Sequence, residues 1–248
     1  MNILSFDIGN TNVKTEVWNE EGPLFHYVSD NVPYPKISEL IDKYHINESI
    51  VSSVREDVIE VCAGLEKLLK VKPLLFDNEE IKRYRQKNLY EGKIGPDRVA
   101  AYLGAEKLFP STSKLIVDLG TAITTDVVNK NGEFCGGNIT LGMRGRLKGL
   151  KSFTALLPDV GIKEYDLLPF GKNTRSAIIS GVVNGILGEI LFAFQRAKDV
   201  FKAEMCILTG GDAEMFLPLL RKEGLKCEFD SSLVGRGLAV HLRKFSLN

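Results

Sequence analysis

A strand–turn–strand pattern that occurs twice most constrains how this chain of 248 residues folds. The first copy runs through Asp7-Ile8-Gly9, and the second runs through Asp118-Leu119-Gly120. In each copy an apolar strand enters the motif, an alternating strand leaves it, and a polar turn containing glycine follows. The repeat is too long for a solenoid, so it predicts two related domains that face each other across a cleft.

The remaining sequence alternates short apolar strands with segments of helical periodicity, which predicts an α/β fold with helices flanking the sheets. Helices are expected over 97–108 and over 181–202, where apolar residues recur at helical spacing. The most loop-like stretch between the two copies lies at 110–113. We therefore place the domains at 1–112 and 113–248.

Composition limits the classes of partner. The chain has 32 basic and 32 acidic residues, so its formal net charge is zero and no basic surface argues for nucleic acid. No apolar stretch approaches the roughly 20 residues that cross a bilayer, and Asn2 to Phe6 lacks the features of a signal peptide. We expect a cytoplasmic protein that binds neither nucleic acid nor membrane.

The first loop, Asp7 to Asn12, has the composition of a phosphate-binding turn. Gly9 lets the backbone approach phosphate oxygens, and backbone N–H groups with the Thr11 hydroxyl are suitable donors. The Asp7 carboxylate would repel phosphate, but it could hold a hydrated cation, and Lys14 could supply a positive charge. Alone, this loop is equally compatible with an ordinary hairpin.

The second loop changes that balance, because two such loops could clamp one nucleotide triphosphate. Thr121 is its candidate phosphate donor, and Asp118 is its candidate cation ligand. A third element, Thr209 to Asp212, opens a helix through two glycines and could admit a ribose or a flat ring. The sequences typical of P-loop and dinucleotide-binding folds are absent.

Gly95-Pro96-Asp97-Arg98 is a fourth element and begins a predicted helix. A carboxylate is favoured in a first helical turn by the helix dipole, which is the purely structural interpretation of Asp97. The functional interpretation is that Asp97 accepts a proton from an attacking hydroxyl while Arg98 grips an acidic substrate group.

With these four elements in this order, the chain resembles the type III pantothenate kinases along essentially its whole length. The resemblance implies a homodimer in which each chain has two ribonuclease-H-like domains of the actin-like ATPase superfamily. It implies ATP-dependent phosphorylation of pantothenate to 4'-phosphopantothenate, the first step of coenzyme A biosynthesis. It also implies magnesium with ATP and a monovalent cation, potassium or ammonium.

The same resemblance implies roles for particular residues. Asp97 is the expected catalytic proton acceptor, Asp118 the ligand of the monovalent cation, and Asp7 a ligand of magnesium through water. Leu141 stands where the family usually has proline, which could shift a loop without removing a chemical group. The expected ATP contacts are Asp7, Ile8, Gly9, Asn10, Thr11, Asn12, Val13, Lys14 and Thr121, and the expected pantothenate contacts are Tyr90, Gly95, Pro96, Asp97, Arg98 and Thr174.

Two alternatives stay open from the sequence. One is a kinase of the same superfamily that acts on another small hydroxy acid. The other is a non-catalytic, nucleotide-binding transcriptional accessory protein, against which the intact Asp97 and the neutral net charge both count.

Overall fold

The computed structural model describes residues 2–87, 90–161 and 169–246, and the chain divides into two compact units. Unit 1 comprises Met1–Ser111, Gly132–Cys135 and Ser232–Asn248, whereas unit 2 comprises Thr112–Asn131 and Gly136–Ser231. The sequence-based division at 112/113 differs from these units at Thr112, which belongs to unit 2, and in two longer segments. A short piece of the second hairpin and the last helix both belong to unit 1, although they follow the boundary in sequence.

Two mixed five-stranded sheets form the framework, one for each copy of the repeat, and helices flank them. The strands are β1 (Ile3–Ile8), β2 (Val13–Trp18), β3 (Pro23–Ser29), β4 (Glu48–Ser53), β5 (Leu74–Leu75), β6 (Lys114–Leu119), β7 (Ala122–Val128), β8 (Phe134–Leu141), β9 (Met205–Thr209) and β10 (Cys227–Phe229). The helices are α1 (Tyr34–Tyr44), α2 (Val58–Leu69), α3 (Asn78–Ile81), α4 (Pro96–Leu108), α5 (Met143–Phe153), α6 (Thr174–Phe201), α7 (Ala213–Lys222) and α8 (Leu233–Ser246), with a 3-10 helix at Lys82–Lys87.

The strand orders confirm the internal repeat. The first sheet runs β3-β2-β1-β4-β5, and the second runs β8-β7-β6-β9-β10. In each sheet the central strand pairs antiparallel with the next strand and parallel with a later one. Asp7 pairs with Ser52 and Asp118 pairs with Thr209 across the parallel ladders. Both motifs therefore lie where two parallel strands end side by side, which is the edge at which α/β sheets bind ligands.

The core of unit 1 explains why α8 belongs to it. Leu4, Phe6 and Ile8 alternate along β1 and pack with residues of α1 and α2 on one face of the sheet. The other face receives α4 and α8, which pack closely because Gly104 and Gly237 allow their backbones to approach. This contact joins segments that are distant in sequence, so no local signal could have predicted it.

The long helix α6 organises the core of unit 2. Its start is fixed by a capping box. The Asn173 side chain accepts from the Ser176 backbone N–H, and the Ser176 hydroxyl accepts from the Asn173 backbone N–H. Buried residues such as Val182, Val183 and Ile186 pack against the second sheet. The expectation of no membrane-length apolar stretch is wrong for this helix, because by length and composition α6 could span a bilayer. Of its most apolar 18-residue window, 39% is buried inside the protein.

Candidate functional site

The first loop is a tight turn between β1 and β2. The Gly9 N–H donates to the Asn12 carbonyl at 3.0 Å, which closes the turn and leaves Asn10, Thr11 and Asn12 exposed. Ile8 and Val13 are buried at the ends of the two strands and anchor the loop to the core. The turn thus presents polar groups above a rigid base.

Asp7 and Lys14 lie directly opposite each other in the register of β1 and β2. Cross-strand neighbours have adjacent side chains on the same face of a sheet, so an opposite-charge pair is favourable there. Both side chains are half-buried. The loop therefore carries a carboxylate and an ammonium group at its base, the two charges that the sequence analysis assigned to nucleotide binding.

Arg55 contacts the first loop, and the sequence analysis did not name it. It follows β4, and its Nε–H donates to the Gly9 carbonyl at 2.6 Å, while a second N–H reaches the Asp30 carbonyl at 3.4 Å. The Arg55 side chain thus links the ends of two neighbouring segments to the first loop. The available signal was topological, because the ends of parallel β1 and β4 meet at one edge.

The second loop is shorter than the first. The Gly120 N–H donates to the Ala122 carbonyl at 3.1 Å, and Thr121 is exposed at the tip. The Thr121 carbonyl accepts from the Gly142 N–H at 2.9 Å. A Cβ on Gly142 would collide with the Gly120 carbonyl, so a glycine is required where α5 begins.

The turn after β9 lies against the second loop. Gly210 has φ +94°, and a Cβ there would meet the Asp118 carboxylate and would come within 2.5 Å of the Leu119 backbone nitrogen. The Asp212 N–H donates to the Leu119 carbonyl at 3.0 Å. Burial raises the pKa of the Asp212 carboxyl, and nearby Arg144 partly offsets that effect. The third motif of the sequence thus forms one cluster with Asp118 and Thr121.

The Gly95-Pro96-Asp97-Arg98 element forms the first turn of α4, as predicted. Asp97 Oδ1 accepts from the Arg98 backbone N–H at 2.8 Å. A Cβ on Gly95 would come within 2.5 Å of that same oxygen, which explains why glycine precedes the carboxylate by two positions. The half-buried Asp97 carboxylate is therefore held in one orientation at a helix N-terminus.

Tyr90 lies beside this element. The Arg98 guanidinium carbon is 5.3 Å from the centroid of the Tyr90 ring, within the range of a cation–π contact. Thr174 lies on a different element, the first turn of α6 in unit 2, and its side chain is exposed there. The structure thus groups Tyr90 with Gly95 to Arg98, and places Thr174 on another unit.

The candidate cation ligands are single carboxylates. Within 2–87, 90–161 and 169–246, no group of three or more His, Cys, Asp or Glu side chains is placed to hold a metal ion. Asp118 Oδ1 lies close to Gly120 and Gly210. Carboxylate and backbone oxygens suit hard cations such as magnesium and potassium, so these residues fit ions that also bind phosphate and water.

Comparisons with solved structures support the fold. The activator of the 2-hydroxyisocaproyl-CoA dehydratase from Clostridium difficile, with bound ADPNP, aligns with a TM-score of 0.54 at 13% identity, covering 97% of this chain and 94% of that one. Component A of the Acidaminococcus fermentans (R)-2-hydroxyglutaryl-CoA dehydratase aligns with a TM-score of 0.56 at 12% identity, covering 96% and 95%. At such identities the likeness concerns the fold alone, and it confirms the predicted α/β fold with helices flanking the sheets.

Sequence comparisons are more specific. A type III pantothenate kinase from Flavobacterium johnsoniae is 33% identical over 221 residues, which cover 88% of this chain and 89% of that protein. A type III pantothenate kinase from Bacteroides fragilis is 35% identical over 214 residues, covering 86% of each. The model of the type III pantothenate kinase family matches residues 3–196, a range that includes both loops and the Asp97 element. By its sequence, its fold and the order of its motifs, the chain belongs to the type III pantothenate kinase family.

Proposed function

We propose that this protein transfers the γ-phosphoryl group of ATP to the terminal hydroxyl of pantothenate, giving 4'-phosphopantothenate as the first step of coenzyme A biosynthesis. The observation that carries the proposal is the fixed Asp97 and Arg98 pair at the start of α4, in a chain with two phosphate-type loops. We place the reaction in the cytoplasm.

Asp97 is the proton acceptor in this proposal. Its Oδ1 is already held by the Arg98 backbone N–H at 2.8 Å, so the carboxylate needs little reorganisation when substrate binds. Phosphoryl transfer depends mainly on positioning and charge neutralisation, and a general base adds about 10²- to 10⁴-fold. Asp97 would take the proton as the pantothenate hydroxyl attacks the γ-phosphorus and the bond to the β-phosphate bridging oxygen breaks.

The two loops bind ATP. In the first loop, the backbone of Ile8 to Val13, the Thr11 hydroxyl and the Lys14 ammonium supply donors and positive charge. In the second loop, the Thr121 hydroxyl is the donor. Their exposure at turns closed by backbone hydrogen bonds supports this role, because a rigid loop binds phosphate without a large loss of entropy.

Two cations belong to the proposal. Asp118 would hold the monovalent ion, potassium or ammonium, and Asp7 would hold magnesium through water. These ions would neutralise charge on the phosphates when ATP is bound. Two glycines, Gly120 and Gly210, lie close to the Asp118 carboxylate, which supports its assignment as a cation ligand.

Pantothenate would be bound by the residues around α4 and by Thr174. A guanidinium group pairs well with a carboxylate, so Arg98 is assigned to the acidic end of the substrate. Tyr90 contacts the Arg98 guanidinium, and Gly95 with Pro96 shapes the turn beside it. The exposed Thr174 hydroxyl at the start of α6 supplies a further hydrogen bond.

A homodimer is also part of the proposal, and unit 2 has a surface that suits it. Phe153 and Leu156 are 91% and 94% exposed, and Leu141 is half-exposed nearby in sequence. A groove of about 600 Å³ between α5 and α6 is lined by Leu150, Phe153 and Ile178, among others. Exposed apolar patches of this kind mark interfaces, and we assign this one to a second copy of the chain.

The dimer assignment is tested by placing charge on the apolar face. Phe153→Glu should give a monomer in light scattering after gel filtration, because a buried carboxylate without a partner is costly. Ile59→Glu, at an exposed position on α2 in unit 1, is the control and should leave the mass unchanged. A dimeric Phe153→Glu variant would refute this assignment.

The activity is tested by a steady-state assay with ATP, magnesium and pantothenate in potassium, ammonium or sodium buffers, with the product identified by mass spectrometry. Asp97→Asn should lower kcat about 10²- to 10⁴-fold. Asp57→Asn, at the exposed start of α2, is the matched control and should retain activity.

Each outcome of this assay separates the alternatives. Turnover of another hydroxy acid in place of pantothenate would favour the related kinase. ATP binding without turnover in any of the salts would favour the non-catalytic regulator. Full activity of Asp97→Asn would remove the role assigned to Asp97 while leaving the overall reaction in place.

A further inference from the structure

The side chain of Arg98 is enclosed by aromatic rings. It is only 6% exposed, and its guanidinium carbon lies 5.3 Å from the Tyr90 ring centroid and 5.5 Å from the Phe134 ring centroid. The two rings are 6.0 Å apart and nearly perpendicular. A guanidinium group within about 6 Å of an aromatic face is attracted by the electrons of the ring. These two rings therefore contribute to the direction of the Arg98 side chain.

Phe134 comes from an unexpected part of the chain. It lies in Gly132–Cys135, a segment of unit 1 whose neighbours on both sides in sequence belong to unit 2. The ring is 2% exposed, so it is buried within unit 1. Packing against α4 thus brings a residue of the second hairpin to the Asp97 element.

Tyr102 holds this segment in place. It lies one helical turn after Arg98 on α4, so both side chains project from the same face of the helix. Its ring is perpendicular to that of Phe134 at 6.3 Å, and its hydroxyl donates to the Gly132 carbonyl at 2.8 Å. Burial raises the pKa of Tyr102 to about 12, so the hydroxyl keeps its proton at neutral pH.

We propose that Phe134 is a positioning residue for pantothenate, because its ring, with that of Tyr90, fixes the Arg98 guanidinium in the direction that the substrate carboxylate requires. Tyr102 in turn positions Phe134, because its hydrogen bond to Gly132 holds the segment that contains Phe134. This inference rests on the proposed function, since it takes Arg98 as the group that binds the substrate carboxylate. It adds a residue that none of the four sequence motifs contains.

The test is a series of fluorinated phenylalanines at position 134. Successive fluorination withdraws electrons from the ring face while nearly preserving its shape, so packing stays but attraction for the cation fades. The KM for pantothenate should rise stepwise along the series, to about tenfold for pentafluorophenylalanine. The KM for ATP and kcat should change little, because Asp97 and both loops are untouched.

Two controls make the test specific. The same series at Phe76, a buried phenylalanine of unit 1 whose ring contacts His241, should leave the KM for pantothenate constant. Phe134→Leu, which removes the ring, should raise that KM at least as much as the pentafluoro variant. Melting temperatures measured for each variant separate loss of packing from loss of the cation contact.

Arg98→Gln distinguishes the inference from the function on which it rests. If this variant raises the KM for pantothenate strongly and the Phe134 series is graded, both are supported. If Arg98→Gln raises the KM but the Phe134 series is flat, the positioning role of Phe134 is overturned and the proposed function stands. If Arg98→Gln leaves the KM unchanged, the assignment of Arg98 fails and the inference fails with it.

Discussion

The two loops of this kinase share one frame but are built differently. The turn after β1 has four residues and closes with a hydrogen bond from Gly9 to Asn12. The turn after β6 has two residues and closes with a hydrogen bond from Gly120 to Ala122. The sequence repeat therefore marks equivalent strands, whereas the loops between them differ in length.

The neighbouring strand ends differ in the same way. Beyond β4, a side chain holds the first loop, because Arg55 donates to the Gly9 carbonyl. Beyond β9, backbone holds the second loop, because Gly210 allows close approach and the Asp212 N–H donates to the Leu119 carbonyl. In unit 1 the positively charged Arg55 side chain holds the loop, whereas in unit 2 the corresponding strand end depends on Gly210. This contrast predicts different sensitivities to mutation.

Gly210→Ala should have the largest effect. A residue at φ +94° is strained unless it is glycine, and the added Cβ would meet the backbone of Leu119. We expect a loss of about 3 kcal/mol or more in the free energy of unfolding, measured by urea denaturation. Gly211→Ala is the control, because a Cβ there meets nothing within 4 Å. If Gly210→Ala were as stable as wild type, the inference that unit 2 depends on glycine at this position would be contradicted.

Arg55→Met should mainly weaken ATP binding. The variant loses a charged hydrogen bond to the first loop, an interaction of about 1.5–3 kcal/mol, so the KM for ATP should rise about tenfold or more. The KM for pantothenate should stay within about twofold. Arg83→Met, which removes a partly exposed arginine paired with Glu80, is the control and should leave both constants unchanged. An unaltered KM for ATP in Arg55→Met would contradict the role of Arg55.

Asp212→Asn should change how stability depends on pH. Burial raises the pKa of Asp212 above its ordinary value of 3.8, so the folded state disfavours the ionised form. The stability that the Asp212 carboxyl contributes is present below its ordinary pKa of 3.8 and is lost as the pH rises through its raised pKa in the folded protein. The asparagine variant should therefore be more stable than wild type at neutral pH, by less than about 1 kcal/mol, and equal to it in acid.

Thermal unfolding of both proteins between about pH 3 and pH 8 measures this difference. A variant that is less stable than wild type at neutral pH would show that Asp212 makes a favourable charged interaction in unit 2. In that case the second loop would depend on a side chain as well as on backbone.

Gly9→Ala should have the smallest effect on folding. A Cβ at this position would lie 3.4 Å from the Asn12 carbonyl, which is close to ordinary contact, and the backbone is not in the left-handed region. We expect less than about 1 kcal/mol of destabilisation, measured by urea denaturation as for Gly210→Ala. Equal losses in the two variants would show that both units depend on glycine to the same degree.

Much of the fold was predictable because it is encoded locally. The apolar runs that lead to Asp7 and Asp118, and the proline at the start of α4, gave the two sheets and the position of the Asp97 element. β8 and α5 were not predicted, because their sequences contain the glycines Gly136, Gly137 and Gly145, which are typical of turns. Tertiary packing determines the structure of those segments.

The missed parts of the site have a common cause, which is distance along the chain. Arg55 and its partner Gly9 are 46 residues apart, and Phe134 contacts Arg98 from a segment of unit 1 that is also distant in sequence. Neither residue lies in a motif, so local patterns carry no information about them. The parallel pairing of β1 with β4 was the one indirect indication, since it places the residue after β4 beside the loop.

The central proposal is that the loops of both units contact ATP, and that different interactions hold each loop in place. Calorimetric titration of ATP with magnesium into wild type, Arg55→Met and Thr121→Val tests it most directly. The account predicts one ATP per chain and a dissociation constant raised about tenfold in Arg55→Met and by several-fold in Thr121→Val, which loses only a hydroxyl. Unchanged affinity in either variant would contradict the claim, as would two ATP molecules per chain.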